Sequence, residues 1–377
     1  MIPEAERFKD CLAQHFEIDD WLAVDIILAC VVAHKIGGEM LWLRIIGASG
    51  SGKTEILRTL LGQEGYIETV ETLTPSAIRR GLQMVKKRVD KDGQEEYQKV
   101  QTEPTLLERI NKKLVITKEL APLLTRHHDT RLEIFGLLRS VHDGELDADY
   151  GSLQGHIKQK CWFDWILGTT TYVDSQNQLE MQLGSRFTDL RWGSPLSRKK
   201  AVSRAIQNIP HIEAIRAELS GIMTSLIAHS DTANAGDFQA DLQSEEWLLD
   251  LCEITSVLRT PVERDGYTRE VKEKSIPSPE LGTRIGQNYA KIMAGLRMLG
   301  IEDVQPYITR LTWDALPPMR ATVLRAILTL EASGRKPSEE LIACNNGSGL
   351  SKSTVHLVSK DLQILGAEKL NWRSCLK

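Results

Sequence analysis

The sequence lacks the patterns that mark zinc proteins, disulfide-linked proteins and membrane proteins. Its six cysteines are scattered, with no C-x-x-C pair and no histidine at metal-binding spacing. We therefore expect reduced thiols, without zinc or disulfides. The most apolar run, Trp21–Ala33, contains Asp25 and is too short to span a bilayer, and no basic stretch leads into an apolar run at the N-terminus. These absences predict a cytoplasmic protein without a membrane partner.

A large net charge is also missing. The 377 residues carry a formal charge of −4 at pH 7, which argues against a surface coated with basic residues for nucleic acid. The charge is unevenly spread, since residues 319–377 contain nine Lys/Arg and five Asp/Glu, a local +4 that leaves −8 for the rest. This distribution suggests either a basic C-terminal module or an ordinary solvated surface. The length predicts two or three domains.

Residues 41–54 are the stretch around which the sequence is organised. An apolar run at 41–46 precedes G-A-S-G-S-G-K-T and a helix-forming segment at 54–61, which predicts a buried strand, a phosphate-binding loop and a helix. The glycines leave room for inward-pointing N–H groups. Lys53 would reach the β and γ phosphates of ATP, and the Thr54 hydroxyl would hold Mg²⁺. The predicted nucleotide contacts are Gly47, Ala48, Ser49, Gly50, Ser51, Gly52, Lys53 and Thr54.

Three further positions offer the groups that nucleotide hydrolysis needs besides a phosphate cradle. Glu119 follows the second predicted buried strand, where it could polarise the attacking water and contact the metal. Three threonines end the third predicted strand, and the hydroxyl of Thr171 or, as second choice, Thr170 would bond water or the γ-phosphate. Arg186, in L-G-S-R-F, would neutralise charge on a neighbouring subunit's nucleotide. A surface glutamate, an exposed strand end and an ordinary ion-pairing arginine are the alternatives.

The order of these motifs resembles that of AAA+ ATPases. It is most similar to the helicase branch that includes the minichromosome maintenance proteins, and to phage- and mobile-element-encoded ATPases whose phosphate loop also reads G-K-T-E. The resemblance covers residues 20–192 well and residues 195–300 loosely. It implies Walker A residues Lys53 and Thr54, Walker B residue Glu119, a sensor-one threonine at Thr171 or Thr170, the arginine finger Arg186, and a sensor-two arginine at Arg284 or, more weakly, Arg297.

One position departs from the AAA+ pattern. Walker B segments of this family usually end in Asp-Glu, whereas Lys118 precedes Glu119 here. A cation at this place makes Mg²⁺ binding depend on Thr54, the phosphates and Glu119 itself. We therefore expect slow or conditional hydrolysis, with a protein that only binds nucleotide as the alternative.

The predicted fold is an α/β P-loop NTPase core of the AAA+ type with a parallel sheet, an α-helical lid and a C-terminal winged helix-turn-helix. Strand and helix signals alternate up to residue 192, and strand signals end from Pro195 onward. The predicted units are an N-terminal extension of two amphipathic helices (1–36), the nucleotide-binding core (37–194), the lid (195–318) and the winged helix (319–377). Residues 367–377 are expected to be extended.

DNA-binding candidates lie in two predicted elements. The extended pair at 145–160 stands where helicase-branch proteins carry a pore hairpin, and the helix at 351–365 has the position of a recognition helix. Their candidate residues are Lys158, Lys160, Lys352, Ser353, His356 and Lys360. Solvated lysines and a protein-docking helix are the alternatives. A charged hairpin at 85–100, with its turn at Asp92-Gly93, is either a solvated insertion or a basic finger.

Together these features predict an ATPase that uses ATP and Mg²⁺, forms a homo-oligomeric ring, expected to be a hexamer, and translocates along or unwinds DNA. Replication proteins of a phage or mobile element are the expected partners. Two other classes remain open. One is a nucleotide-gated DNA loader or regulator with little hydrolysis, which Lys118 would favour. The other is a phosphotransferase, because P-loop kinases share the first motif.

Overall fold

The computed structural model describes residues 1–79, 83–87, 96–100, 104–150, 155–175, 186–193, 195–236, 246–264, 277–344 and 350–376. A five-stranded sheet carries helices on both faces and is accompanied by two antiparallel hairpins. The described strands are β1 (Trp42–Ile46), β2 (Ile67–Thr69), β3 (Gln83–Lys87), β4 (Glu96–Val100), β5 (Leu114–Thr117), β6 (Glu145–Tyr150), β7 (Gly155–Lys160), β8 (Asp164–Thr169) and β9 (Phe187–Arg191).

Helices occupy most of the remaining described chain, and beyond β9 they are the dominant element. The α-helices are α1 (Pro3–His15), α2 (Trp21–Ala33), α3 (Lys53–Thr59), α4 (Pro75–Arg79), α5 (Leu106–Ile110), α6 (Ala121–Leu124), α7 (His128–His142), α8 (Arg198–Asn208), α9 (Ile212–His229), α10 (Glu246–Arg259), α11 (Thr283–Met298), α12 (Gln305–Ala315), α13 (Pro318–Ala332), α14 (Glu339–Cys344), α15 (Lys352–Ile364) and α16 (Trp372–Cys375). No described helix is both long and apolar enough to cross a membrane.

The central sheet is parallel, with the strand order β2-β5-β8-β1-β9. Strand β1 is buried on both faces because its side chains alternate between two hydrophobic clusters. Leu43 and Ile45 pack with α2, α3, α9 and α11, whereas Trp42 and Ile46 pack with α5 and α7. The predicted parallel sheet with crossover helices is confirmed, and this mixed α/β architecture is consistent with a P-loop ATPase core. All five strands end at the same edge of the sheet.

Both predicted hairpins have their strands paired. Strand β3 pairs with β4, and β6 pairs with β7, in antiparallel register. The Asp92-Gly93 turn of the first hairpin and residues 151–154 of the second lie outside the described residues.

The expectation that α2 is amphipathic is wrong. Every residue from Ala23 to Ala33 is buried, including Asp25, whose carboxylate accepts a hydrogen bond from the Lys9 ammonium at 2.8 Å. The cause is tertiary, since α11 lies against the face of α2 that would otherwise meet water. The two helices approach so closely that a Cβ on Gly295 would lie 2.2 Å from the carbonyl oxygen of Ala29.

The C-terminal unit is helical in its described residues. Ser351 caps α15 by accepting a hydrogen bond from the Thr354 amide. The extended segment predicted for 367–377 is wrong, because a short 3₁₀ turn and α16 occupy it. Trp372 begins α16 and Leu376 directly follows it; both side chains are buried, and the Leu376 amide donates to the Trp372 carbonyl at 2.9 Å. The glycine-rich turn at 347–349 lies outside the described residues, so the wing remains unsupported.

The division into four units, with boundaries after residues 36, 194 and 318, remains a prediction. A single hydrophobic cluster continues from α1 through α9, α10, α11 and α12 to α16. The units therefore share one core in this structure.

Candidate functional site

The predicted phosphate loop follows β1 at the carboxyl edge of the sheet and leads into α3. Gly50 and Gly52 have φ angles of 75° and 93°, which side chains with a Cβ rarely adopt. At Gly47 the requirement is space, since a Cβ there would lie 3.1 Å from the Cβ of Trp192. The Trp192 indole N–H also donates to the Ser51 carbonyl at 2.8 Å. Strand, loop and helix are therefore as predicted, and the buttressing tryptophan is an addition that the sequence analysis missed.

The Lys53 ammonium is folded onto this loop. Its side chain is 4% exposed, and it donates to the carbonyl oxygens of Gly47 at 2.8 Å and Ala48 at 2.7 Å. Burial lowers the pKa of Lys53, while the negative charge of Glu119 acts in the opposite direction. Glu119 therefore lies close enough to Lys53 for their charges to interact. A buried ammonium held by neutral carbonyls is a favourable partner for a phosphate anion.

Glu119 lies two residues beyond β5 and is half-buried. Its carboxylate accepts a hydrogen bond from the Ala121 amide at 3.0 Å, which fixes the side chain at the start of α6. The Lys118 ammonium instead forms a salt bridge with Glu71, 2.7 Å away, beyond the end of β2. Lys118 and Glu71 lie at the same edge of the sheet, and the Glu71 carboxylate partly neutralises the charge of Lys118.

The threonine run lies between the phosphate loop and Glu119, because β8 pairs with β1 on one side and with β5 on the other. Thr169 is buried, and its carbonyl accepts a hydrogen bond from the Gly47 amide at 3.2 Å. Thr170 is half-buried, whereas Thr171 is exposed and begins a 3₁₀ helix. The roles predicted for Thr170 and Thr171 remain predictions.

Arg186 and Arg284 lie at the opposite edge of the sheet. Arg186 immediately precedes Phe187, which pairs with Trp42 at the amino end of β1, so the length of β1, roughly 13 Å, separates this edge from the phosphate loop. The Arg186 guanidinium is 8% exposed and forms a salt bridge with Asp143 at 3.1 Å. Burial lowers the pKa of Arg186, and the nearby charge of Arg284 lowers it further. The two arginines therefore form a pair that lies away from the chain's own phosphate loop.

His142 lies beside this pair. Its pKa is lowered to about 4, first by burial and then by the charges of Arg186 and Arg284. Its ring packs edge-on against Trp42, with the ring centroids 4.7 Å apart. The neutral imidazole is thus the favoured form next to the two cations.

A cavity of about 450 Å³ opens beside the loop, within the size range of small-molecule and cofactor sites. The end of α1, the start of α3, α8 and α9 form its walls. Its apolar lining is Phe16, Ile18, Ile209 and Ile212. Arg204 holds the wall together by donating to the carbonyls of Ala13 at 2.6 Å and Phe16 at 2.7 Å. The sequence analysis missed these residues, since no motif links the end of α1 to α8.

Helix α9 is tied to the phosphate-loop helix by one ion pair. The Arg216 guanidinium donates three hydrogen bonds to the Glu55 carboxylate, at 3.1, 3.0 and 2.9 Å, and one to Glu213 at 2.6 Å. Glu55 directly follows Thr54, the predicted Mg²⁺ ligand, which is half-buried in the first turn of α3. The Arg216–Glu55 ion pair thus joins α9 to the helix that follows the predicted phosphate loop.

The predicted DNA-binding residues are exposed, but several share their surface with carboxylates. Lys158 lies 3.3 Å from Glu145 across the β6–β7 hairpin. On α15, Lys352 pairs with Glu340 at 2.5 Å and His356 with Glu339 at 2.7 Å. The other candidates, Lys160, Ser353 and Lys360, are exposed as well. DNA binding at either place remains a prediction.

Comparison with known proteins leaves the family open. No protein-family model matches the sequence, and neither does any curated protein. Among solved structures, the chain is similar to a crystal structure of a "putative ATPase" from Cytophaga hutchinsonii, with 10% sequence identity and a TM-score of 0.43 over 83% of this chain and 86% of that chain. A similarity at this level carries no argument about function, which therefore rests on the site itself.

Proposed function

We propose that the chain is an ATPase that binds ATP and Mg²⁺ in the cavity beside the phosphate loop. The observation that carries this proposal is the meeting of four features at one sheet edge: the glycine loop, the buried ammonium of Lys53, the carboxylate of Glu119 and a cavity of about 450 Å³. Thr54 and Glu119 would hold Mg²⁺, which supplies positive charge to the β and γ phosphates.

The chain's own residues have separate tasks in this proposal. Lys53 exchanges the carbonyls of Gly47 and Ala48 for phosphate oxygens, so its charge is used without a new desolvation cost. Glu119 exchanges the Ala121 amide for the attacking water and accepts its proton. The apolar walls around Phe16 would enclose the base.

The test is ATP binding and steady-state hydrolysis in three variants of the full chain. Lys53→Ala should weaken binding and abolish hydrolysis. Glu119→Gln should retain binding and lower turnover roughly 100-fold or more, because it removes a general base. Lys369→Ala, an exposed lysine distant in sequence from the loop, is the matched control and should be unchanged. Equal hydrolysis in wild type and Lys53→Ala would remove this site from consideration.

The finer proposal is a ring in which each nucleotide is completed by a neighbour. It is supported by the distance of Arg186 and Arg284 from their own phosphate loop, since guanidinium groups at that edge are suited to reach only another copy's nucleotide. In this arrangement Arg186 leaves Asp143 when a neighbour presents its γ-phosphate.

Mixing two inactive variants tests this arrangement. Lys53→Ala chains retain Arg186, and Arg186→Met chains retain a complete phosphate loop, so mixed rings should regain part of the hydrolysis. In a mixture of Lys53→Ala with Glu119→Gln, every nucleotide site lacks either Lys53 or Glu119, so this mixture is expected to stay inactive. If the first mixture is also inactive while both variants still assemble, the arginine acts elsewhere.

We further propose that hydrolysis is coupled to DNA translocation or unwinding through the β6–β7 hairpin and α15. Single-stranded or duplex DNA should then stimulate hydrolysis, and Lys158→Ala with Lys160→Ala should reduce that stimulation. A nucleotide-gated loader with little turnover is the second candidate, favoured by Lys118 paired with Glu71. ATP-dependent DNA binding without strand displacement or turnover would select the loader.

A further inference from the structure

Three side chains with metal-ligand chemistry meet where α1 packs against α9. The Cys11 sulfur, a ring nitrogen of His15 and a carboxylate oxygen of Glu218 all lie within 4.8 Å of one another. Cys11 is buried, His15 is half-buried and Glu218 is exposed. Within the part of the chain that the structure describes, this is the one trio of histidine, cysteine or acidic side chains so placed.

The geometry of this cluster is set by rigid elements. Cys11 and His15 are four residues apart in α1, which places them on one helix face. The sequence analysis did not count this spacing as metal-binding and expected no zinc. The third member, Glu218, comes from α9, which packs on that face. The backbone near His15 is held by Asn208 of α8, whose amide donates to the His15 carbonyl at 2.7 Å. Ligand atoms of tetrahedral zinc are about 3.5 Å apart. Shifts of about 1 Å in side-chain position would bring these atoms to that spacing.

Glu218 places a carboxylate oxygen within 4.8 Å of the sulfur of the buried Cys11. No hydrogen bond or ion pair within the described chain uses the side chains of Cys11, His15 or Glu218. Three adjacent donors are therefore uncommitted, and the Cys11 thiol becomes a thiolate ligand when a metal binds.

We propose that Cys11, His15 and Glu218 bind a divalent transition metal of the zinc class. Sulfur, imidazole nitrogen and carboxylate oxygen are ligands that Zn²⁺ accepts together, and three protein ligands leave a fourth position for water. Binding releases the Cys11 proton to solvent. His15 also lines the cavity beside the phosphate loop, so the metal would fasten α1 to α9 at the wall of that cavity. This site differs from the Mg²⁺ position expected at Thr54 and Glu119.

The test is metal binding by the full chain after removal of metal with a chelator. Zn²⁺ should bind at one equivalent per chain, and Co²⁺ should give a thiolate charge-transfer absorption. Each of three variants, Cys11→Ser, His15→Ala and Glu218→Gln, should weaken Zn²⁺ binding roughly tenfold or more. Removing a group that only supports a metal ligand already costs about tenfold in affinity, so removing a ligand should cost at least as much. Cys344→Ser and His211→Ala, at exposed positions, are the matched controls and should bind as wild type does.

Glu218→Gln is the deciding variant, because its side chain is exposed and its loss should leave folding intact. Thermal unfolding of the metal-free variants shows whether each is folded. Absence of stoichiometric Zn²⁺ binding at micromolar concentration, or unchanged affinity in any folded variant of the trio, would overturn the three-ligand site. None of these readouts depends on ATP hydrolysis, so they stand apart from the proposed activity.

Discussion

The ion pair between Lys291 and Asp164 is expected to be essential for the stability of the fold. Asp164, the first residue of β8, is 1% exposed, and Lys291 of α11 is 8% exposed. The Lys291 ammonium donates to both carboxylate oxygens of Asp164, at 3.0 and 2.9 Å, and to the Glu39 carbonyl at 2.8 Å. The carboxylate also accepts from the Leu41 amide at 2.6 Å and lies 2.8 Å from Nδ1 of His34. This network joins α11 to the amino edge of the sheet.

Lys291→Met keeps most of the side-chain volume and removes the charge. Breaking a buried pair by removing one partner costs about 3–5 kcal/mol, because the other charge stays buried. Leu41 and His34 still support Asp164 after this change, so we expect the lower end, about 3 kcal/mol. Adding Asp164→Asn removes the stranded charge. The double variant should therefore regain about 1–2 kcal/mol relative to Lys291→Met alone.

Urea denaturation followed by circular dichroism measures these differences, provided that the unfolding slope is unchanged. Lys369→Met, which alters an exposed lysine, serves as control and should change stability by less than about 0.5 kcal/mol. A loss below about 1 kcal/mol in Lys291→Met, or a double variant no more stable than the single one, would refute the reasoning that an uncompensated buried charge dominates.

Three other predictions concern close packing and pH. Gly295→Ala should destabilise the chain by about 2 kcal/mol or more, because the new Cβ would lie 2.2 Å from the Ala29 carbonyl oxygen. Gly221→Ala is the control: this helix position has open space around it, so the change should stabilise the chain by about 0.5–1 kcal/mol in the same denaturation assay. The folded pKa of His142, about 4, lies below the unfolded 6.5, so stability is lost as pH falls from 6.5 towards 4, by up to about 3 kcal/mol; His142→Phe should remove that loss when unfolding is compared at pH 7 and at acid pH. In Arg284→Met the pKa of His142, followed by NMR, should rise, since one cation beside the imidazole is gone. An unchanged pKa would mean that the charge of Arg284 does not act on His142.

The phosphate loop and the parallel sheet were predictable from sequence because their causes are local. A strand, a glycine loop and a helix occupy consecutive residues, and apolar runs separated by helices already indicate parallel strands. The positions of Lys53 and Glu119 at one edge follow from that topology, since both come after the carboxyl end of a parallel strand.

The other features of the fold and of the candidate site depend on contacts between segments that are distant in sequence. The sequence of α2 does not reveal that α11 covers its remaining face, nor that Trp372 and Leu376 bury together as a helical turn instead of forming an extended segment. The meeting of Arg186 with Arg284, the walls of the cavity, and the approach of Glu218 to Cys11 likewise depend on helices that are far apart in the chain. Local periodicity predicts which residues are buried, whereas only the packing of the whole chain determines which neighbours each buried residue contacts.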